Sequence, residues 1–374
     1  MVEEARVQMQ PTIFVSTPLE DDQVVRIIAA AEGRATVVHE PDLLPPIRYV
    51  ADHKGCADFV RTPEQQARWK ARLAEADFLW DIPPLDSVHL AEANFLWDIP
   101  PLDSVQMTST EWAPKLQWVQ TTSSGVGPMI EKLGLANSAA IISTAKGIHA
   151  EPLSEFVLLA LLMHVKRLRH LQSEQTAHRW QRYCGDALAG KTIAIVGAGE
   201  VGHRVAQVCK FMGMRVLAMS RRLTPSEGRL RGYDGVFSRT QLAEVFATAD
   251  AVVLAVPHTS ETERMIDAEI LAAMKSDAIL VNIARGQVVD ESALIDAVQN
   301  HRIGFAALDV AQTEPLPADS PLWDHPNVLI SPHSASTVVD ENRKITDIFI
   351  HNLKCLLDNQ LGSMKNVFDK SQLY

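Results

Sequence analysis

Three polar side chains stand just past apolar, strand-like runs in the last third of the chain: Arg285 in "VNIARGQVVD", Glu314 in "AQTEPLP" and His333 in "SPHSAS". Taken singly, each has an ordinary reading: a surface charge, a loop cap, and one of 13 histidines. Taken together, they are the set that hydride transfer to a 2-oxo acid requires. Arg285 can bind the carboxylate bidentately and polarise the adjacent carbonyl. His333 suits proton donation and removal, because a histidine ordinarily titrates near neutrality. Glu314, within hydrogen-bond reach, would hold the imidazolium. Such chemistry needs a hydride donor, and the sequence offers a place for one.

"GAGEVG" follows the apolar run "KTIAIV" and opens a helical stretch, so Gly197, Gly199 and Gly202 sit at a strand-to-helix turn. A lone GxGxxG is a weak signal, but inside a complete βαβ unit it marks a dinucleotide site. The first glycine allows the tight turn, the second lets backbone approach a pyrophosphate, and the third allows close helix–strand packing. The helix start favours the anion through its N–H groups and dipole. Glu200 and Val201 in the same turn are assigned to the cofactor, as are Ile283 and Ala284 before Arg285. Where the second strand ends, an acid would hold a ribose 2′-hydroxyl, but this chain has Ser220, Arg221 and Arg222. Serine and arginine can bond to and pair with a 2′-phosphate, which predicts NADP(H) over NAD(H). The other reading is that both arginines only solvate a surface turn.

The elements that must position these groups alternate between strand and helix. "TIFVST" and "TVVHE" read as strands around the helix "DDQVVRIIAAAEG", which ends on Gly33. "TPEQQARWKARLAEA" reads as a helix with Thr62 as its cap and Pro63 in its first turn. "LQWVQTTSSGV" is a strand running into a loop, and "EPLSEFVLLALLMHVKRLRHL" reads as one long helix. After the Gly-rich unit, "ADAVVLAVP", "DAILVNIARG", "IGFAALDV" and "NVLISPH" are further strands, and "TVVDENRKITDIFIHNLKCLLDN" is a closing helix. This order predicts an α/β chain of two doubly wound, parallel-sheet domains, Rossmann-like or flavodoxin-like. One is expected over residues 150–332, the other over 1–149 with 333–374.

The 374 residues are 47% apolar and 22% charged, ordinary for a globular chain of two domains. A net charge of −11 argues against nucleic-acid or anionic-membrane partners. Cys56, Cys184, Cys209 and Cys355 have no metal-ligand spacing and read as reduced thiols of a cytoplasmic protein; no metal is expected. "MVEEARVQMQ" lacks the apolar core of a signal peptide. "FVLLALLMHV" is too short to span a bilayer, which takes about 20 residues, and reads as a buried helix.

From about Gln117 onward, and most densely from Gly197 to Ser336, the chain resembles the D-isomer-specific 2-hydroxyacid dehydrogenase family. The motifs that carry the resemblance are "GAGEVG", "VPHTSET", "VNIARGQVVDESAL", "ALDV", "EPLPADSPLWDHPNV" and "SPHSA". It implies that Arg285, Glu314 and His333 are catalytic, that Asp309 contacts the nicotinamide amide, and that Pro257 and Thr259 form a cofactor loop. The family's substrate loop matches "SSGV", which implies that Ser124, Gly125 and Val126 hold the substrate carboxylate from the opposite domain. It further implies a dinucleotide-binding domain and a substrate domain made from both chain ends. The active site would lie in the interdomain cleft, the ligand would be a small 2-oxo or 2-hydroxy acid, and the assembly would be a homodimer. Within the family, the Ser-Arg-Arg strand ending and "SPLWDHPNV" are most similar to NADPH-preferring glyoxylate/hydroxypyruvate reductases. Formate dehydrogenases pair the histidine with Gln rather than Glu. A dinucleotide-sensing scaffold, like the family's corepressor relatives, is the alternative from another class, though no interaction tail is evident. The segment "YVADHKGCADFVRTPEQQARWK" departs from the family pattern. Its His53 and Lys54 either meet a substrate tail or lie in a solvated loop.

A tandem repeat follows that segment. "AEADFLWDIPPLDSVHL" at residues 74–90 runs straight into "AEANFLWDIPPLDSVQM" at 91–107, with 3 of 17 positions different. Two units are too few for a solenoid. Deleting either copy leaves a family-like sequence, so this is a tandem duplication. Only one "FLW" can fill a parallel strand buried on both faces. The second copy is the expected occupant, because the extra residues would then precede the strand, on the side away from the chemistry.

Overall fold

Residues 10–82, 112–221 and 223–371 are described in the computed structural model. The chain divides into two units, Met1–Ile148 with Val338–Tyr374, and His149–Thr337. The first unit carries β1 (Thr12–Val15), α1 (Asp21–Ala31), β2 (Thr36–Val38), α2 (Pro63–Glu75), β3 (Phe78–Trp80), β4 (Trp118–Gln120) and β5 (Ile141–Ser143). Its sheet runs β2-β1-β3-β4-β5 with all four pairings parallel. That is the flavodoxin-like order, reversing between β1 and β3. α2 starts on a capping box: Thr62 Oγ1 accepts from Gln65 N at 3.2 Å, and Gln65 Oε1 accepts from Thr62 N at 2.9 Å.

The closing helix, Glu341–Leu357, belongs to this unit. It places Ile345, Phe349 and Leu353 on the sheet face made by Ile13, Val15, Phe78, Trp80 and Trp118. Phe349 and Trp118 stack with ring centroids 4.6 Å apart. The tail then runs beside β5, where Phe368 N donates to Ile142 O at 2.8 Å.

The repeat resolves against the expectation. β3 comes from the first copy, with Phe78, Leu79 and Trp80 buried between β1 and β4; the second copy lies outside the described residues. One of the three differing positions takes part in holding this strand. Asp77 Oδ2 accepts from Thr12 N at 2.8 Å and Asp77 Oδ1 from Gln117 Nε2 at 2.9 Å, tying β3 to both neighbours. The second copy has Asn94 there, with a single acceptor oxygen.

The second unit contains α3 (Ala150–Val165), α4 (Leu168–Thr176), β6 (Thr192–Val196), α5 (Glu200–Phe211), β7 (Arg215–Met219), β8 (Gly235–Phe237), β9 (Ala251–Leu254), β10 (Ile279–Asn282), α6 (Glu291–Gln299), β11 (Phe305–Leu308) and β12 (Val328–Ile330). The sheet order is β12-β11-β10-β9-β6-β7-β8, all parallel. This is a doubly wound sheet that reverses between β6 and β9. β9, β10 and β11 are buried along their whole length, as an apolar strand covered on both faces must be.

Two sequence expectations change here. The single long helix is two, α3 and α4, broken at Arg167, whose φ is 52°. The break follows from a loop that captures the last carbonyls of α3: Asp186 N donates to Val165 O at 2.7 Å and the Tyr183 hydroxyl to Lys166 O at 2.9 Å. The apolar run inside α3 buries Val157, Ala160, Leu161 and Val165 and leaves Leu159 half-exposed. Residues 333–337, expected with the substrate domain, stay with the second unit because Asp309 holds their backbone, as described below. All four cysteines are free thiols. Among the described residues no helix is long and apolar enough to cross a membrane.

Candidate active site

Every candidate residue of the second unit follows the carboxyl end of a strand. After β6, the turn brings Gly197 and Gly202 into backbone contact, since a Cβ on Gly202 would lie 1.9 Å from Gly197 O. Only glycine allows α5 to start this close to the strand. At Gly199 a Cβ would meet nothing within 4 Å, so the start of α5 faces open space. A bare backbone edge beside a helix N-terminus is the cradle that a pyrophosphate needs. Glu200 and Val201 form the first helical residues there. After β7, Ser220 Oγ accepts from Leu223 N at 3.1 Å. Arg221 pairs with Glu261 at 2.5 Å, both well exposed. Arg222 lies outside the described residues. After β9, Pro257 and Thr259 share a turn closed by Thr262, whose Oγ1 donates to Pro257 O at 2.7 Å and accepts from Thr259 N at 2.8 Å.

After β10, Ile283 and Ala284 are buried and Arg285 follows. Asn282, at the strand end, donates from Nδ2 to Arg285 O at 3.1 Å and accepts from Ala284 N at 3.1 Å. The next residue, Gly286, would place a Cβ 1.8 Å from Ala311 O. This close approach packs the Arg285 turn against the loop that carries Glu314. Burial pulls the Arg285 pKa below its usual value, while the carboxylates of Glu314 and Asp309 oppose that shift; a guanidinium remains charged regardless.

Glu314 and His333 meet directly, with His333 Nδ1 2.8 Å from Glu314 Oε2. Glu314 is fixed in turn by Ala311 N, which donates to Oε1 at 3.1 Å. With Nδ1 donating to the carboxylate, proton exchange falls to Nε2 of the ring. His333 has φ of 53°, a conformation that costs a non-glycine residue about 1 kcal/mol or more. Asp309 holds it there. The Asp309 carbonyl accepts from His333 N at 2.8 Å, and its Oδ1 accepts from Ser331 Oγ, Ser334 N and Ala335 N at 2.7, 3.0 and 2.9 Å.

Asn282 and this role of Asp309 are absent from the sequence reading. Both residues close an apolar strand, and a buried polar residue at that position is the signal that could have marked them.

In the first unit, Ser124 and Gly125 are exposed and Val126 is buried after β4. Asp81 anchors this loop: its Oδ1 accepts from Thr122 N at 3.1 Å, and its Oδ2 from Thr122 Oγ1 at 2.9 Å and Thr17 Oγ1 at 3.2 Å. Lys54 is exposed, but His53 is not in a solvated loop; its side chain is 16% exposed. A cleft of about 430 Å³ lies at the other edge of the second unit's sheet, lined by His164, Lys191, Asp250 and Asp277 among others. Lys191, Asp250 and Asp277 sit at the amino ends of β6, β9 and β10, His164 lies in the last turn of α3, and none of the candidate residues lines this cleft.

The family profile described as D-isomer specific 2-hydroxyacid dehydrogenase, NAD binding domain, matches residues 158–335. The chain is 35% identical over 249 residues to glyoxylate/hydroxypyruvate reductase B of Yersinia enterocolitica, covering 65% of this chain and 75% of that one. It belongs to the D-isomer specific 2-hydroxyacid dehydrogenase family. This dehydrogenase is also 33% identical over 240 residues to D-3-phosphoglycerate dehydrogenase of Mycobacterium tuberculosis, covering 63% of this chain and 44% of that one. A family protein from Aeromonas salmonicida superposes with a TM-score of 0.74 at 26% identity, covering 96% of the dehydrogenase and 99% of that chain. The dehydrogenase is therefore an NAD(P)-dependent oxidoreductase acting on small 2-hydroxy or 2-oxo acids, and its cofactor is a nicotinamide dinucleotide.

Proposed function

We propose that this dehydrogenase reduces glyoxylate, hydroxypyruvate or a related 2-oxo acid, with NADPH preferred to NADH. The observation that carries the reading is the 2.8 Å contact between Glu314 and His333, on a loop held against its own backbone preference. In this reading the unit His149–Thr337 binds the dinucleotide, and Met1–Ile148 with Val338–Tyr374 forms the substrate domain. The turn Gly197–Gly202 and the residues Ser220, Arg221, Arg222, Pro257, Thr259, Ile283, Ala284 and Asp309 hold the cofactor, which supplies the hydride when bound.

Arg285 binds the substrate carboxylate and polarises the carbonyl. His333 delivers a proton from Nε2 to the oxygen that becomes the hydroxyl, and Glu314 keeps the ring oriented until it does. Ser124, Gly125 and Val126 offer backbone N–H groups to the carboxylate. No carboxylate side chain follows β7 directly to repel a 2′-phosphate. The exposed Arg221–Glu261 pair is worth only about 0–1 kcal/mol, so Arg221 is readily recruited to such a phosphate. The printed name of the Yersinia relative supports the substrate class. A homodimer formed through the dinucleotide domain, in the cytoplasm and without nucleic-acid or membrane partners, completes the reading; the net charge of −11 supports its last part.

The test is a panel of 2-oxo acids, including glyoxylate, hydroxypyruvate and phenylpyruvate, assayed with NADPH and with NADH. His333→Ala should lower kcat by about 10²- to 10⁴-fold while NADPH affinity, read by fluorescence titration, stays unchanged. A variant with kcat near that of the unmodified protein would remove His333 from its role. Tight NADPH binding without turnover of any 2-oxo acid would point instead to a dinucleotide-sensing scaffold. Better turnover with NADH would refute the 2′-phosphate argument.

A further inference from the structure

Between the end of β11 at Leu308 and Glu314 the chain is irregular. The place of Glu314 is therefore set by what grips the backbone just before it. Three neighbours do so, and all of them follow Arg285 in sequence. Gly286 packs against the Ala311–Gln312 peptide, where a Cβ would lie 1.8 Å from Ala311 O and 2.4 Å from Gln312 N. Gln287 donates from Nε2 to Gln312 O at 3.0 Å. Glu291, the first residue of α6, accepts from Gln312 N at Oε2, at 2.8 Å. Both polar groups of the Gln312 backbone are thus bound by side chains from one short stretch.

That stretch is itself fixed. Arg264 N donates to Gln287 O at 2.8 Å, Ile266 N to Val288 O at 3.1 Å, and Asp290 N to Ile266 O at 3.0 Å. Val288 and Val289 are buried. Asp290 caps α6, its Oδ1 accepting from Ala293 N at 3.1 Å. An acid in the first turn of a helix ordinarily helps through its charge alone, wherever its oxygens point. The Glu291 carboxylate does something more specific, since it bonds an amide 21 residues along the chain.

From Gln312 the contact reaches the proposed proton donor in two steps. Ala311 N donates to Glu314 Oε1 at 3.1 Å, and Glu314 Oε2 lies 2.8 Å from His333 Nδ1. Gln312 lies between Ala311 and Glu314, so a shift of its peptide moves both the amide that fixes Glu314 and the backbone that carries it. We infer that Glu291 is a positioning residue: by gripping Gln312 N, it sets where the Glu314–His333 pair stands relative to Arg285. The inference rests on the roles proposed above for those three residues. Arg285 and His333 must address the carboxylate and the carbonyl oxygen of one small acid, so their spacing is strict. An error in that spacing lowers kcat, whereas the Gly197–Gly202 turn and its hold on the dinucleotide are untouched.

Two conservative replacements separate this role from an effect of charge on α6. Glu291→Gln keeps the reach and an acceptor oxygen but loses the charge. Glu291→Asp keeps the charge at the helix start but falls one methylene short of Gln312 N. The experiment measures kcat for glyoxylate with NADPH, and the Kd of NADPH by fluorescence titration, in both variants and in Glu291→Ala. In Glu291→Ala and Glu291→Asp kcat should fall about tenfold, a fraction of the about 100-fold that a 1 Å misplacement costs. Glu291→Gln should restore kcat to within about threefold of the unmodified protein, and the Kd of NADPH should stay within about twofold throughout.

If Glu291→Ala fails to fold, the contrast between the other two variants decides. A kcat in Glu291→Gln no better than in Glu291→Asp, or an unchanged kcat in a folded Glu291→Ala, overturns the inference alone. A normal kcat in His333→Ala, or no turnover of any 2-oxo acid by the unmodified protein, overturns the functional reading and this inference with it.

Discussion

The seven-stranded and five-stranded sheets each reverse strand order once, yet their carboxyl ends are held by different kinds of contact. In the seven-stranded sheet close backbone contacts add to the side-chain bonds of Asn282 and Asp309. Gly202 lies against Gly197, and Gly286 against Ala311, with no space for a Cβ at either. In the five-stranded sheet the strands are three or four residues long, and buried polar side chains tie them together. Asp81 spans Thr17 and Thr122, the Trp118 indole donates to Ser143 Oγ at 2.8 Å, and Ser143 Oγ donates to Gln120 Oε1 at 2.7 Å. A backbone contact tolerates no added atom but is indifferent to charge. A buried polar network tolerates small changes of shape but responds to every gain or loss of a proton or partner. The Arg285 turn meets the Glu314 loop through the first kind of contact, whereas the loop after β4 depends on the second.

The comparison can be broken at either sheet. Gly286→Val should separate the Arg285 turn from the Glu314 loop, and a displacement of about 1 Å costs about 100-fold in turnover. Steady-state kinetics with NADPH would show it; turnover within a few-fold of normal would mean that the backbone contact does not position the site. In the first unit, Asp81→Ala leaves Thr122 N, Thr122 Oγ1 and Thr17 Oγ1 without their acceptor, which should cost about 2 kcal/mol. Urea unfolding measures this, and a loss below about 0.5 kcal/mol would contradict the network's importance. Asp77→Asn should be milder, at about 1 kcal/mol, because one of its two acceptor contacts survives. Excising residues 91–107 should have the smallest effect on stability, since β3 and its ties come from the first copy. Failure of that shortened chain to fold would show that the second copy is not redundant.

Much of the second unit is legible in sequence, because each instruction there is local. An apolar run, a glycine turn and a capped helix start recur at short spacing, and the residues at strand ends identify themselves by being polar. The Gly197–Gly202 turn and the strands up to "NVLISPH" are recognisable this way. The helix broken at Arg167 is not, since nothing in "LLMHVKRLRHL" forbids a continuous helix and the break comes from a loop near residue 185. Nor is the burial of His53, which depends on a carboxylate in the closing helix, far along the chain.

The repeat marks the boundary most clearly. The sequence alone dictates that one copy of "FLW" enters a buried parallel strand, because that is a property of hydrophobicity and period. Both copies meet that condition equally. Tertiary structure takes the first copy, whose Asp77 carboxylate reaches Thr12, 65 residues earlier, and Gln117, 40 residues later. Local patterning is blind to partners at that distance.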